Sequence, residues 1–276
     1  APNPQGENSR FKTEQHSADA ETRAIDPLAP YYADIDQGAK AYETAAKPLS
    51  WSLPLGGDKW GRDVLQKAIK AGQVSIGVGL AAALLAVSIG TLLGATAGYF
   101  GGRVNDVLEW VYNVFTSVPY ILLVLAFAAV LGKGISTVIL VLGLTGWTGC
   151  YRLIRSEYIK QRSREYVEAA GAIGAGTLRI MFGHILPNVS HLILVQLSQM
   201  VVEFIKAEVI LSFLGFGVPI ELISWGSMIN EVLSELVLGK WWQLATTALL
   251  MSTFVVAFGL FTDVLRDALD PKMKRN

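Results

Sequence analysis

A single cysteine, Cys150, stands in the chain, so an internal disulfide is excluded, and its place in an apolar run fits a small packing residue. The three histidines, His16, His184 and His191, are scattered without ligand spacing, which speaks against a metal site. Charged residues are scarce at 17%, and 23 basic and 23 acidic side chains cancel, leaving no net field to draw nucleic acid. No Gly-x-x-x-x-Gly-Lys-[Ser/Thr] stretch occurs, so the chain shows no phosphate-cradling loop of its own. Paired carboxylates and nucleophile-base arrangements are missing too, which gives an enzyme little support. Any work done against a gradient must come from elsewhere.

What is abundant is apolar surface. With 52% hydrophobic residues, the composition indicates an all-α integral membrane protein with several spans. Val74 to Ala97 is uncharged and rich in Gly, Ala and Ser, long enough for a span of about 20 residues and suited to tight helix packing. After a turn at Gly101-Gly102-Arg103, a second span runs from Trp110 to Leu131, where Pro119 predicts a kink. Ile135 to Tyr151 gives a third, with Trp147 and Tyr151 as expected interface anchors. Val189 to Pro219 reads as a fourth, interrupted by Glu203, Lys206 and Glu208, and Trp241 to Thr262 as a fifth. Between them Trp225, Trp241 and Trp242 are expected to anchor at the outer surface, or to form a segment that meets a substrate-delivering protein. Residues 1–54 form a polar, proline-bearing arm.

The loop at 152–188 carries Arg152, Arg155, Lys160, Arg162, Arg164 and Arg179, and the positive-inside rule places it in the cytoplasm. Lys272, Lys274 and Arg275 place the tail there as well. Three spans precede the loop, so residues 1–72 are expected outside, which calls for a signal peptide or, as the better expectation, a further membrane helix before Ala1. Within the loop, Ala169, Ala170, Gly171 and Ala172 give a helix surface with almost no bulk, onto which a partner's groove can close. Glu168 can add a charge-assisted hydrogen bond at the edge, and Gly174 and Gly176 end the helix. A helix resting on the membrane surface is the rival reading.

Glu168-Ala169-Ala170-Gly171, followed by Ile185-Leu186-Pro187, resembles the EAA motif of ABC importer permeases. Leu55 to Asp63 is similar to the LGTDxxGRD signature of the C-type permease subunit of dipeptide, oligopeptide and nickel importers, with Gly57 where Thr is usual. Read by themselves, those residues describe a tight turn stitched by Asp58, Arg62 and Asp63. Gly98 to Arg103, the pair Ser117 and Pro119, Glu208 to Gly217, Ser224-Trp225-Gly226 and Leu265 to Pro271 also look like that subclass, in the same order along the chain. The resemblance implies the transmembrane domain of a type I ABC importer, with residues 55–276 as the permease and one more span ahead of Ala1. It implies coupling to ATPase subunits through Glu168, Ala169, Ala170, Gly171, Gly174 and Pro187. It further implies a second homologous permease, two ATPase subunits that bind ATP and Mg, an extracytoplasmic substrate-binding protein and residence in a bacterial inner membrane. No cofactor is expected in this chain.

Glu203, Lys206 and Glu208 carry two readings. Charges inside a span cost several kcal/mol unless paired or hydrated. Glu203 and Lys206 are spaced to pair on a helix, and Glu208 needs another partner. The three either line a water-filled path between two permease subunits or order the bundle as buried charges. Used as an ion relay, they would instead make the chain an autonomous secondary transporter or channel, but no inverted repeat is visible.

Overall fold

The computed structural model describes residues 31, 34–37, 53–219 and 221–269. Most of the polar arm and the basic tail beyond Leu269 therefore lie outside the described residues. The chain divides into two units, Ala1–Ser52 and Leu53–Asn276. In the first, one helical turn occupies residues 34–37. Everything below concerns the second, which is helical throughout, with no strand among its described residues beyond an isolated bridge between Gly57 and Asp63.

Asp63 sets the start of the longest helix. Its extended backbone and its carboxylate, which accepts from the Leu65 and Gln66 amides, cap α1 (Val64–Phe100) ten residues ahead of the uncharged run. Gly101, at φ 65°, ends it. Along α1, Gly90, Gly94 and Gly98 recur every fourth residue, and a Cβ on any of them would sit 2.6–2.7 Å from the carbonyl oxygens of Trp147, Tyr151 and Arg155. That stripe lets another helix backbone lie directly against α1.

The helix so admitted is α5 (Thr148–Arg162), which follows α4 (Ile135–Gly146) with only Trp147 between them, so that Ile135–Arg162 is one 28-residue span. Cys150 is fully buried at this seam, the small packing residue its surroundings call for. Trp147 and Tyr151 are buried as well, at 4% and 1% exposure, which corrects their expected role as interface anchors. Instead they stack with Phe115 and Tyr112 of α2 (Gly102–Thr116), at ring separations of 5.4–5.5 Å.

The kink expected at Pro119 is sharper than a kink. Ser117 and Val118 leave the helix, Pro119 caps the next one, and α3 (Tyr120–Leu131) turns 85° away from α2. Among the described residues, four helices are long and apolar enough to cross a membrane, or five when this bent pair counts as one span. The second of the expected five is therefore a broken one.

After the short helix α6 (Glu165–Ala172), a π-helical segment at Arg179–Ile185 leads without interruption into α7 (Leu186–Phe213). Pro187 accounts for the wide turn: it has no N–H to give to the preceding turn and its ring crowds the carbonyl there, so the ladder upstream opens. The fourth span thus begins earlier than Val189 and ends at Phe213 rather than Pro219. α8 (Trp225–Leu236) and α9 (Trp242–Leu269) complete the unit.

Candidate functional site

Two sites emerge at opposite ends of α1. The first is α6, the helix predicted in the cytoplasmic loop. Val167 and Ala170, three apart, are buried and fix its inner face. Its end is closed by backbone alone: Ile173 N–H donates to Ala169 O at 3.2 Å, Gly174 N–H to Gly171 O at 3.0 Å and Ala175 N–H to Ala170 O at 3.0 Å. Gly174, at φ 86°, makes that closure possible. Gly176 takes no left-handed conformation; its carbonyl accepts from Ile180 N–H at the foot of the next helical segment.

The outer face of α6 is made by Glu168, Ala169, Gly171 and Ala172, all exposed. Nothing lies within 4 Å of where a Gly171 Cβ would be. Ala170, predicted on the same bare surface, points inward instead. Beside this face stand Ile173 at 87% exposure and Leu178 at 69%, two large apolar side chains left in the open. Sequence reasoning passed over both, although a large apolar pair flanking a glycine-terminated helix in a basic loop was the available signal. Pro187 lies on α7, past the π-helical segment, and belongs to the link between loop and span rather than to α6.

The second site is the cap over the N-terminal end of α1, predicted on the outer side. Asp58 is buried, and its carboxylate accepts from Trp60 N–H and Arg62 N–H at 2.9 Å, Arg62 Nε at 2.7 Å and Lys67 Nζ at 3.0 Å. Burial pushes this carboxyl up, but the hydrogen bonds from Arg62, Lys67 and Trp60 outweigh it and hold it down at about 2, against an ordinary value of 3.8. Lys67, itself buried, also donates to Glu231 of α8. Lys59 N–H donates to the buried Glu235 at 2.9 Å, and Trp242 Nε1 donates to Gly57 O at 2.8 Å. The Leu55–Asp63 turn is stitched by Asp58 and Arg62 as expected, while the Asp63 carboxylate caps α1 instead, and the turn is also bolted to α8 and α9.

Trp225, predicted to anchor at the surface, is buried at 3% exposure. Its indole donates to Ala68 O at 3.0 Å and its backbone N–H to Ser75 Oγ at 3.1 Å, pinning α8 to α1. Gly72 leaves the space the indole fills, since a Cβ there would meet it at 2.7 Å.

The three charges predicted inside the fourth span separate. Glu203 and Lys206 are exposed and line an opening of about 270 Å³ with Gln199, Thr262 and Asp263. The salt bridges among the described residues include none between Glu203 and Lys206. Glu208 is fully buried on another face; its Oε1 accepts from Ser212 Oγ at 2.6 Å, and its Oε2 has no hydrogen-bond partner among the described residues. Ser212 Oγ in turn accepts from Val218 N–H at 3.2 Å, fastening the turn that follows α7. No cluster of metal-ligating side chains occurs among the described residues.

Residues 90–275 match the family described as binding-protein-dependent transport system inner membrane component. The chain is 39% identical over 230 residues to the dipeptide transport system permease protein DppC of Bacillus subtilis (strain 168), covering 81% of this chain and 72% of that one. To the oligopeptide transport system permease protein OppC of the same organism it is 35% identical over 248 residues, covering 90% and 81%. Among solved structures, an inward-facing MetNI methionine ABC transporter aligns with a TM-score of 0.57 at 13% identity, covering 74% of this chain and 97% of that one. An amino acid ABC transporter with histidines aligns with a TM-score of 0.55, also at 13% identity, covering 74% and 94%. At that identity the two structures speak to the fold, which is that of an ABC importer's membrane-spanning subunit.

Proposed function

The chain belongs to the family of binding-protein-dependent transport system inner membrane components, and on that premise we propose that it is the permease subunit of an ATP-driven importer of peptides. The relatives named for dipeptide and oligopeptide transport support the solute class. Membership makes it a multi-pass inner membrane protein that works with an ATPase and a substrate-binding protein. In this reading α6 faces the cytoplasm, the outer cap faces away from it, and the chain pairs with a second homologous permease above two ATPase subunits, which bind the ATP and Mg.

The observation that carries the coupling role is the outer face of α6: small side chains around an unobstructed Gly171, with Ile173 and Leu178 exposed beside it. A groove on an ATPase subunit can close onto that backbone, with Glu168 at its edge. Movement of the ATPase pair then reaches the spans through the continuous path from the π-helical segment into α7, where Pro187 sits, as a rigid-body switch between inward and outward openings. Glu203 and Lys206, on the exposed face of α7, are placed to line the solute path; Glu208 orders the bundle from within.

Gly171→Trp tests the coupling. In the assembled transporter, uptake should fall by about tenfold or more while the chain stays in the membrane and ATP hydrolysis persists, since about 1.4 kcal/mol of lost docking suffices for that factor. Unchanged uptake would remove α6 from the mechanism. An autonomous ion-coupled transporter is not favoured; it would require uptake by this chain alone in liposomes under an ion gradient.

A further inference from the structure

A cavity of about 480 Å³ opens where the inner end of α1 meets α2, α5 and α6, and Gly98, Gly101, Asn105, Arg155, Arg162 and Glu168 line it. Its two arginines have capacity left. Arg155 directs Nε to Asn105 Oδ1 at 2.6 Å and toward Glu109 at 3.3 Å, and no hydrogen bond among the described residues uses its terminal nitrogens. Arg162 is exposed, lies 5.9 Å from the Tyr99 ring, and forms no salt bridge among the described residues. With Arg155 bridged to Glu109, Arg162 outside every salt bridge among the described residues and Glu168 as the one carboxylate in the lining, the space suits a phosphate, which arginine can hold through two parallel bonds.

The surroundings decide which phosphate. Ala97, Gly98 and Gly101, which line the cavity, lie at the end of the uncharged run of α1, just ahead of Arg103, and this puts the opening at headgroup depth. From it, α2 climbs along the bundle with Val104, Val107, Trp110 and Val114 exposed in steps of three and four, an apolar stripe on one side of the helix. A soluble anion would use the arginines and leave the stripe bare; a phospholipid uses both. We propose that this cavity binds the phosphate headgroup of an anionic phospholipid of the inner leaflet, with an acyl chain along the α2 stripe. Because Glu168 shares the cavity wall, the bound headgroup sets the charge beside α6 and so bears on its docking. The site rests on the inner-face placement of α6 but not on the solute carried, and lipid binding is measured apart from uptake.

The test is native mass spectrometry of the intact transporter released from nanodiscs of phosphatidylglycerol and phosphatidylcholine. The wild type should retain phosphatidylglycerol in preference to phosphatidylcholine at this site. Arg162→Gln, a change of an exposed side chain, should reduce that retention about fivefold, the factor that corresponds to one arginine near an anionic surface. Arg162→Lys should keep part of it. Arg152→Gln, whose side chain lines a different opening, should leave it unchanged. Equal retention in wild type and Arg162→Gln, at matched thermal stability, overturns the proposal. Displacement of the lipid by millimolar inorganic phosphate overturns it in favour of a free anion. Crosslinking of Ser163→Cys to an ATPase subunit with no lipid retained overturns it in favour of a protein partner.

Discussion

The cap over the start of α1 and the platform at α6 are held by different means. At the cap, side chains join positions far apart in the chain: Trp225 to Ala68, Lys67 to Glu231, Lys59 to Glu235 and Gly57 to Trp242. At the platform, α6 is fastened by two buried side chains and by backbone hydrogen bonds within a few residues of one another. A loop that must keep three helices in register needs long-range polar ties, and most of their buried atoms are satisfied, Glu235 Oε2 being without a partner among the described residues. The face of α6, proposed to receive another protein, shows the reverse, with only small side chains and Glu168 on it and Ile173 and Leu178 exposed at its border. The cap is therefore specified by pairs and the platform by what is left out.

The largest effect expected from breaking that contrast is at Lys67. Lys67→Ala removes the cation between Asp58 and Glu231 and leaves Asp58 with Arg62 as its remaining salt-bridge partner, a loss of about 3 kcal/mol, the lower end of the usual scale for one partner of a buried pair. Thermal unfolding of the purified chain should register it. Replacing the three charges together, as Asp58→Asn, Lys67→Met and Glu231→Gln, should recover much of the loss, because the charge that then loses its partner, Arg62, is half exposed rather than buried. A single Lys67→Ala chain as stable as wild type would show that the cap is held by packing alone.

Acid should act on the same region with a smaller effect. The Asp58 carboxyl is held at about 2, below its ordinary 3.8, so the unfolded chain takes up its proton first. The stabilisation is full above about pH 4 and is lost as the pH falls through about 2, a span corresponding to about 2 kcal/mol. Asp58→Asn should flatten the fall in melting temperature across that window. An undiminished fall in the variant would assign the acid sensitivity to other carboxylates.

The helix of the platform was legible in the sequence, though not the inward turn of Ala170 or the exposure of Ile173 and Leu178, and the cap was only half legible. Small residues between Glu168 and Gly174 announce a short bare helix because the relevant information is local. The turn at Asp58 to Asp63 was equally local, but Lys67 could not be read as a buried ion, since its partner Glu231 lies far along the chain. The start of α1 was missed because residues 64–73 are too polar to look like a span, although Asp63 is a capping residue in the right place. The aromatic anchors failed for a related reason: periodicity and hydropathy place Trp147, Tyr151 and Trp225 near a boundary but do not say whether α1 or lipid meets them. The division among Glu203, Lys206 and Glu208 was available from helical geometry, since five residues rotate Glu208 about 140° from Glu203. Which of the two faces is buried required the packed bundle.

The smallest expected change in stability falls on the platform and sharpens the comparison most. Gly171 lies inside α6, does not take a left-handed backbone, and has open space where a Cβ would go. In the isolated chain, Gly171→Ala should therefore raise stability slightly, by about 0.4–1 kcal/mol, because alanine restricts the unfolded chain and is the better helix former. The same methyl group projects from the surface on which a partner is proposed to close. If the glycine is there for the partner, uptake by the assembled transporter should fall in Gly171→Ala even as the melting temperature of the chain holds or rises. Full uptake would place the useful bareness of α6 at Ala169 and Ala172 instead, and a drop in both quantities would mean that the position serves the fold as the cap residues do.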